Sequence, residues 1–210
     1  MSGDMAMDYQ YDVFVSYRRN SFSLKWIEEE FLPELVPRLE LELGREPKVF
    51  WDEASVDDGQ VIQTRILDAL RDSRCLLSLL SGPYFTSIWC SAEWHTFRER
   101  AERAGLLANG RTLTIPIQWH DGDNYLDLLQ GGRGPHTLNF SRFRLNGAWR
   151  GTPVHVEFQN ELNGLADSIR RLIEGTPPYD PAGVIVRPEQ VTRTQLSPGE
   201  WTYKLGGLPR

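Results

Sequence analysis

The sequence is poor in the residues that build the commonest metal and nucleophilic centres. It carries two cysteines, Cys75 and Cys90, and four histidines, His95, His120, His136 and His155, in 210 residues. Two cysteines support no disulfide framework. Cys75 lies in an apolar run and is expected to be buried and reduced, so a reducing, cytoplasmic setting is the simplest. No histidine has a partner at zinc-ligand spacing. Phosphate-cradling motifs are missing too: there is no G-x-x-x-x-G-K-[ST], and no G-x-G-x-x-G follows a strand. The glycines of "GGRGP" (Gly131, Gly132, Gly134) fall in a loop and open no helix. No G-x-S-x-G elbow occurs. Serine-triad hydrolysis, metal hydrolysis, Walker-type ATP use and a standard Rossmann dehydrogenase are all unsupported, and no metal or resident cofactor is expected.

Positive charge is also in short supply. Twenty-three Lys and Arg face 29 Asp and Glu, for a net charge of −6. Basic residues cluster only as the pairs Arg18-Arg19 and Arg170-Arg171, which argues against a nucleic-acid partner. No apolar run approaches the roughly 20 residues of a membrane span. The first residues, "MSGDMAMDYQ", have neither a basic n-region nor an apolar h-region, so neither a signal peptide nor a membrane partner is expected.

What is present alternates between two kinds of segment. "YDVFVSY" (Tyr11 to Tyr17), "PKVFWDE" (Pro47 to Glu53), "CLLSLLS" (Cys75 to Ser81), "RTLTIPIQW" (Arg111 to Trp119) and the short "HTLNF" read as buried strands. Pro116 is a misfit within the fourth. Between them run segments with helical spacing. The first begins near Ser21 or Ser23, must kink or break at Pro33 and Pro37, and ends at Gly44. A second, after Gly59, puts Val61, Ile62, Ile66, Ala69 and Leu70 on one face. A third starts at Ser87 as N-cap and runs to about Ala104. A short helix is expected within 120–135, and a last helix spans about Val154 to Glu174. Strands apolar on both faces, alternating with helices, predict an α/β fold: a doubly wound, mainly parallel five-stranded sheet with helices on both faces. Residues 1–8 read as an N-terminal arm, 9–175 as the domain and 176–210 as a proline-rich tail or linker. Val184 to Val186 and Trp201 to Leu205 are the pieces of that tail able to dock.

In such a fold the ligand crevice lies beyond the carboxyl ends of the strands. That rim is made of "SYRRN", "WDEASVDDG", "SGPYFTSIWC" and "QWHDGDN". Just inside it, "SIWCSAEWHTF" sets an acid, Glu93, on a helical stripe with Trp89 and Phe97 at i−4 and i+4. The residues alone leave two readings: an edge glutamate reaching water, or a carboxylate kept for chemistry. Trp89 is either core or pocket wall, with the two readings even, whereas for Trp94 and Phe97 the core reading is the stronger of the two. Cys90, three residues before Glu93, is a candidate lining residue with no base to activate it.

The segments "YDVFVSYRR", "VFWDEASVDDGQVIQTRILDALRDSR", "CLLSLLSGPYFTSIWCSAEW" and "TIPIQW" together, in this order, resemble the Toll/interleukin-1 receptor (TIR) domain, over about residues 9–175. The resemblance implies a flavodoxin-like TIR fold of the compact, bacterial type. It implies an NAD⁺ nucleosidase of the kind found in Thoeris-like antiphage defence. Such an enzyme cleaves the nicotinamide–ribose bond and leaves ADP-ribose or a cyclic or modified ADP-ribose signal. NAD⁺ is then substrate rather than cofactor. Glu93 takes the position of the family's catalytic glutamate. Phe14, Ser16, Tyr17, Arg18, Arg19, Asp52, Phe85, Trp89 and Cys90 become candidates for substrate binding, with Trp94 as a further aromatic wall. Arg18 and Arg19 suit either the diphosphate, a neighbouring subunit or plain surface charge. The loop at Glu53, Asp57, Asp58 and Gly59 is implied to mediate self-association with other TIR domains. An effector protein that senses the product nucleotide is a further implied partner. The competing expectation is a non-catalytic module acting by homotypic assembly.

Overall fold

A computed structural model describes residues 8–52, 59–120, 138–144 and 147–191. Its centre is one five-stranded sheet in the order β2-β1-β3-β4-β5. The strands are β1 (Tyr11–Tyr17), β2 (Val49–Phe50), β3 (Ser73–Leu80), β4 (Thr114–Gln118) and β5 (Leu138–Asn139), and each neighbouring pair is parallel. This is the doubly wound, flavodoxin-like strand order, in which the chain reverses direction across the sheet between β1 and β3. β2 is shorter than "PKVFWDE" suggests. Only Val49 and Phe50 enter the ladder, opposite Val13 and Phe14.

Strand parity sorts the side chains into two cores. Val13, Val15, Tyr17, Cys75, Leu77, Leu79, Ile115 and Ile117 meet α1 (Ser21–Trp26), α2 (Leu32–Leu43) and α5 (Pro153–Glu174) on one face. Phe14, Leu76 and Leu80 meet α3 (Gly59–Arg71) and α4 (Ile88–Arg103) on the other. Trp26, Phe31, Phe140, Phe143 and Phe158 are buried on the first face, where each such side chain contributes about 1.5–3 kcal/mol by leaving water. Trp26 also donates its indole N–H to the Phe143 carbonyl at 2.8 Å, which closes the strand-β5 end of that core.

The proline-bearing segment is interrupted just before Pro33, by a widened turn, whereas the expected break at Pro37 does not occur and α2 runs through it. A π-turn over Ile27–Phe31 joins α1 to α2, with the Leu32 N–H reaching back to the Ile27 carbonyl. Pro33 sits in the first turn of α2, so its missing N–H would have served the Glu29 carbonyl. Arg150 donates to that carbonyl instead, at 3.0 Å. Pro37 lies inside α2, which ends at Gly44 with φ of 63°. Pro116 is accommodated just as locally. Leu113 and Trp119 bond toward β3 and Gln118 toward β5, so alternation points the Pro116 nitrogen to the β5 side. Among the described residues, β5 joins the ladder opposite Ile117 and Gln118, past Pro116.

Residues 176–191 run back over the domain. Tyr179 donates its hydroxyl to Asp72 at 2.7 Å, and Tyr9 donates to the Pro177 carbonyl at 3.1 Å. Val186 is buried, and its N–H bonds Thr96 on α4 at 2.9 Å. The expected short helix between β4 and β5, and the segment Trp201 to Leu205, lie outside the described residues. No helix among the described residues is long and apolar enough to cross a membrane.

Candidate active site

The switch between β1 and β3 leaves an opening at the carboxyl ends of those strands, and α4 starts at its edge. Ser87, extended and at the N-cap, accepts from the Cys90 N–H and fixes where that helix begins. Trp89 and Glu93 follow one turn apart and face the same cavity, of about 300 Å³. That lies at the small end of the range for small-molecule sites. β1 supplies Phe14, Val15 and Tyr17 to its wall, the segment after β1 supplies Arg18 and Arg19, and Asp52 closes one side. α3 presents Ile62, Gln63 and Ile66 from across the opening.

Most of the candidate binding residues therefore converge, with three exceptions. Phe85 does not line the cavity. It is buried with Phe14 and Cys90 in the α3–α4 core, edge-on to Tyr84 at 5.8 Å. Trp94 is likewise a core side chain, 1% exposed. Both point away from the mouth because the helix and the short 3-10 turn before it (Gly82–Thr86) must fill the space over the sheet. Ser16 is not in the lining either, but lies directly behind it. Its hydroxyl donates to Glu93 Oε2 and exchanges a 2.8 Å hydrogen bond with the Tyr84 hydroxyl.

The lining residues Val15, Ile62, Gln63, Ile66 and Ser87 were not among the candidates. Ile62 and Ile66 are visible in the sequence as an i, i+4 apolar pair, the signal of a buried face. Nothing in that spacing shows that the face meets a cavity instead of solid core. Glu53, Asp57 and Asp58 lie outside the described residues, and Gly59 opens α3.

Glu93 is the unusual acid of this protein. It is 7% exposed, and burial pushes its carboxyl from the ordinary 4.5 up to about 8. The Ser16 hydrogen bond opposes that rise, and the Asp52 charge adds to it. Asp12, equally buried at 3%, goes the other way. Burial would raise it, but two hydrogen bonds from Arg45, at 2.5 and 2.7 Å, and one from the Lys48 N–H outweigh that and hold it low. Asp12 is a structural anchor with a cation built beside it. Glu93 has hydroxyls beside it, and no Lys or Arg forms an ion pair with it among the described residues.

The two arginines at the rim also differ. Arg19 pairs with Asp52 at 3.0 Å, while the Asp52 carbonyl accepts from the Tyr17 hydroxyl at 2.7 Å. Arg18 lines the cavity, and among the described residues no carboxylate pairs with it. Cys90 is buried, and burial together with the Glu93 charge pushes its thiol far up, so it lines the site as an apolar surface rather than a nucleophile. The described residues hold no group of three His, Cys, Asp or Glu able to bind a metal ion.

Residues 13–147 match the TIR domain family, more than half of the chain. Among solved structures, the chain is similar to the TIR domains of the activated Roq1 resistosome directly recognizing the pathogen effector XopQ. The identity is 19%, the alignment covers 79% of this chain and 96% of that one, and the TM-score is 0.38. No curated protein matches the sequence. The family match spans β1 to β5 and includes α4 with its Trp89 and Glu93, and on it the chain belongs to the TIR domain family.

Proposed function

We propose that this TIR domain is an NAD⁺ nucleosidase. It breaks the nicotinamide–ribose bond and releases nicotinamide, with ADP-ribose or a cyclic or modified ADP-ribose as the second product. One observation carries this reading: a single buried carboxylate with no cationic partner among the described residues, on the floor of an aromatic-walled cavity.

The chemistry asks for little more. The nicotinamide ring of NAD⁺ carries a positive nitrogen and leaves as a neutral molecule, so no general acid is needed. Ordinary glycoside hydrolysis, by contrast, generally uses two carboxylates. What develops in the transition state is positive charge on the ribose. A carboxylate fixed beside it in a desolvated site stabilises that charge more than water does. Burial keeps Glu93 protonated in the empty site at neutral pH. A cationic ring entering the cavity favours the charged carboxylate and drives that proton to solvent. Trp89, Phe14 and Tyr17 supply flat surfaces for the ring. Arg18, at the rim and with no carboxylate partner among the described residues, is suited to the diphosphate, whereas Arg19 is engaged by Asp52.

The setting we infer is bacterial and cytoplasmic, in antiphage defence of the Thoeris type. Self-association with other TIR domains completes the site, and a separate effector protein reads the product nucleotide. The assay is nicotinamide release from NAD⁺ by concentrated protein, wild type against Glu93→Gln. We expect release by the first and at least a 100-fold loss, roughly 3 kcal/mol of transition-state stabilisation, in the second. No release at any concentration would favour a non-catalytic assembly module. Equal release by both proteins would remove Glu93 from the chemistry. Product chromatography then separates hydrolysis from cyclisation.

A further inference from the structure

Behind Glu93 lies a feature that the cavity does not explain. On the α3–α4 face, past the apolar level of Phe14 and Leu76, two buried serines, Ser16 and Ser78, stand opposite each other in the strand register. Two small side chains there leave room beneath α4. Tyr84 fills it from the 3-10 turn, fully buried, with its hydroxyl against Ser16 at 2.8 Å. Ser16 in turn reaches Glu93.

We propose that Tyr84 and Ser16 are positioning residues for Glu93: a buried Tyr84–Ser16–Glu93 hydrogen-bond chain holds the carboxyl at the cavity floor and sets the pH at which it ionises. The direction of the chain follows from proton counting. A serine hydroxyl has one proton. Ser16 gives it to Glu93 Oε2, so its oxygen is left to accept, and the Tyr84 O–H is the donor in reach. Burial pushes the phenol far above its ordinary range, so that proton is always present. When Glu93 carries its charge, every link donates toward the carboxylate, and hydroxyls in sequence polarise one another. The site thus offers neutral donors where a cation would have tied the carboxylate up permanently, as Arg45 ties Asp12.

Among the described residues, the other groups facing the carboxyl are Asp52 after β2, Tyr17 on β1 and Cys90 on its own helix, with Arg18 beyond Cys90 and Arg19 beyond Asp52. α3 lines the cavity with Ile62, Gln63 and Ile66, and its charged side chains are not in that lining. Asp52, Tyr17, Cys90 and the arginines are unchanged in the variants below. A shift of the Glu93 midpoint therefore reports the chain.

The test is a ¹³C-carboxyl NMR titration of the labelled protein, with the Glu93 resonance assigned by its loss in Glu93→Gln. Wild type should titrate at about 8. Ser16→Ala should titrate about one pH unit higher, because a hydrogen bond to the charged form is lost. Tyr84→Phe keeps the ring and should move the midpoint the same way by roughly half as much, since it acts only through Ser16. A role in packing alone would leave both midpoints in place, and unmoved midpoints overturn the proposal. If Ser16→Ala fails to fold, Tyr84→Phe decides alone. For activity the proposal rests on the nucleosidase reading: kcat should fall roughly tenfold in Ser16→Ala with KM little changed, and the pH profile should follow the NMR midpoint. Moved midpoints with no nicotinamide release by wild type sink that reading and leave the chain standing. Release by wild type with unmoved midpoints does the reverse.

Discussion

Glu93→Gln should stabilise this protein at alkaline pH. Glu93 is 7% exposed and titrates at about 8 in the folded state, against 4.5 when free in water. Between those two values the folded protein holds a proton that the unfolded chain has released. The stability contributed by that proton is therefore full below 4.5, falls as pH rises, and is gone by about 8. Each pH unit costs about 1.4 kcal/mol, so the span from about pH 5 to 8 removes on the order of 4 kcal/mol. Glutamine has the same shape and no charge to bury. Urea unfolding of both proteins, at half-unit steps from about pH 5 to 9, gives the difference directly. Groups shared by both proteins cancel, and Tyr17, Tyr84 and Cys90 are all pushed above this window. The variant should gain steadily on wild type up to about pH 8 and then hold a constant lead. In thermal terms that is a midpoint gap of about 10 °C for a chain of this size. Parallel profiles would refute the desolvated-carboxylate reasoning, and so would a gap that widens toward acid pH. A protein that is less stable with its acid than without it keeps that acid for something other than folding.

Two further results are expected. Arg18→Ala should raise KM for NAD⁺ about tenfold with kcat nearly unchanged. Arg19→Ala should do less to KM, because its guanidinium is already engaged by Asp52 at 3.0 Å, as steady-state kinetics would show. Val186→Asp would bury a charge against α4, where the backbone N–H of that residue bonds Thr96 at 2.9 Å. A loss of about 3 kcal/mol in urea unfolding is expected if residues 176–191 are bound to the domain in solution, and near zero if they are not.

Local chemistry made much of this architecture legible. β1 runs from Tyr11 to Tyr17, as its β-branched and aromatic composition says. Ser87 caps α4 because its hydroxyl can accept from the Cys90 N–H, a contact encoded within four residues. Strands apolar on both faces required helices on both faces, and hence a parallel sheet with its crevice at the carboxyl ends. Sequence spacing also placed Trp89 and Glu93 on one stripe, because helical period is a local property.

Other features depended on how distant segments meet. Phe85 and Trp94 are as aromatic as Trp89, yet they face the core; which aromatic borders a void is decided by what packs opposite. Ile62 and Ile66 form an ordinary amphipathic face until α3 is laid across the opening from α4. Arg18 and Arg19 are adjacent in sequence and unlike in role, since Asp52 comes from another strand end and takes only one of them. Glu93 itself could be recognised in the chain as an acid among aromatics. Its raised pKa could not, because desolvation sums over everything that surrounds the group. Its Ser16 partner lies 77 residues away.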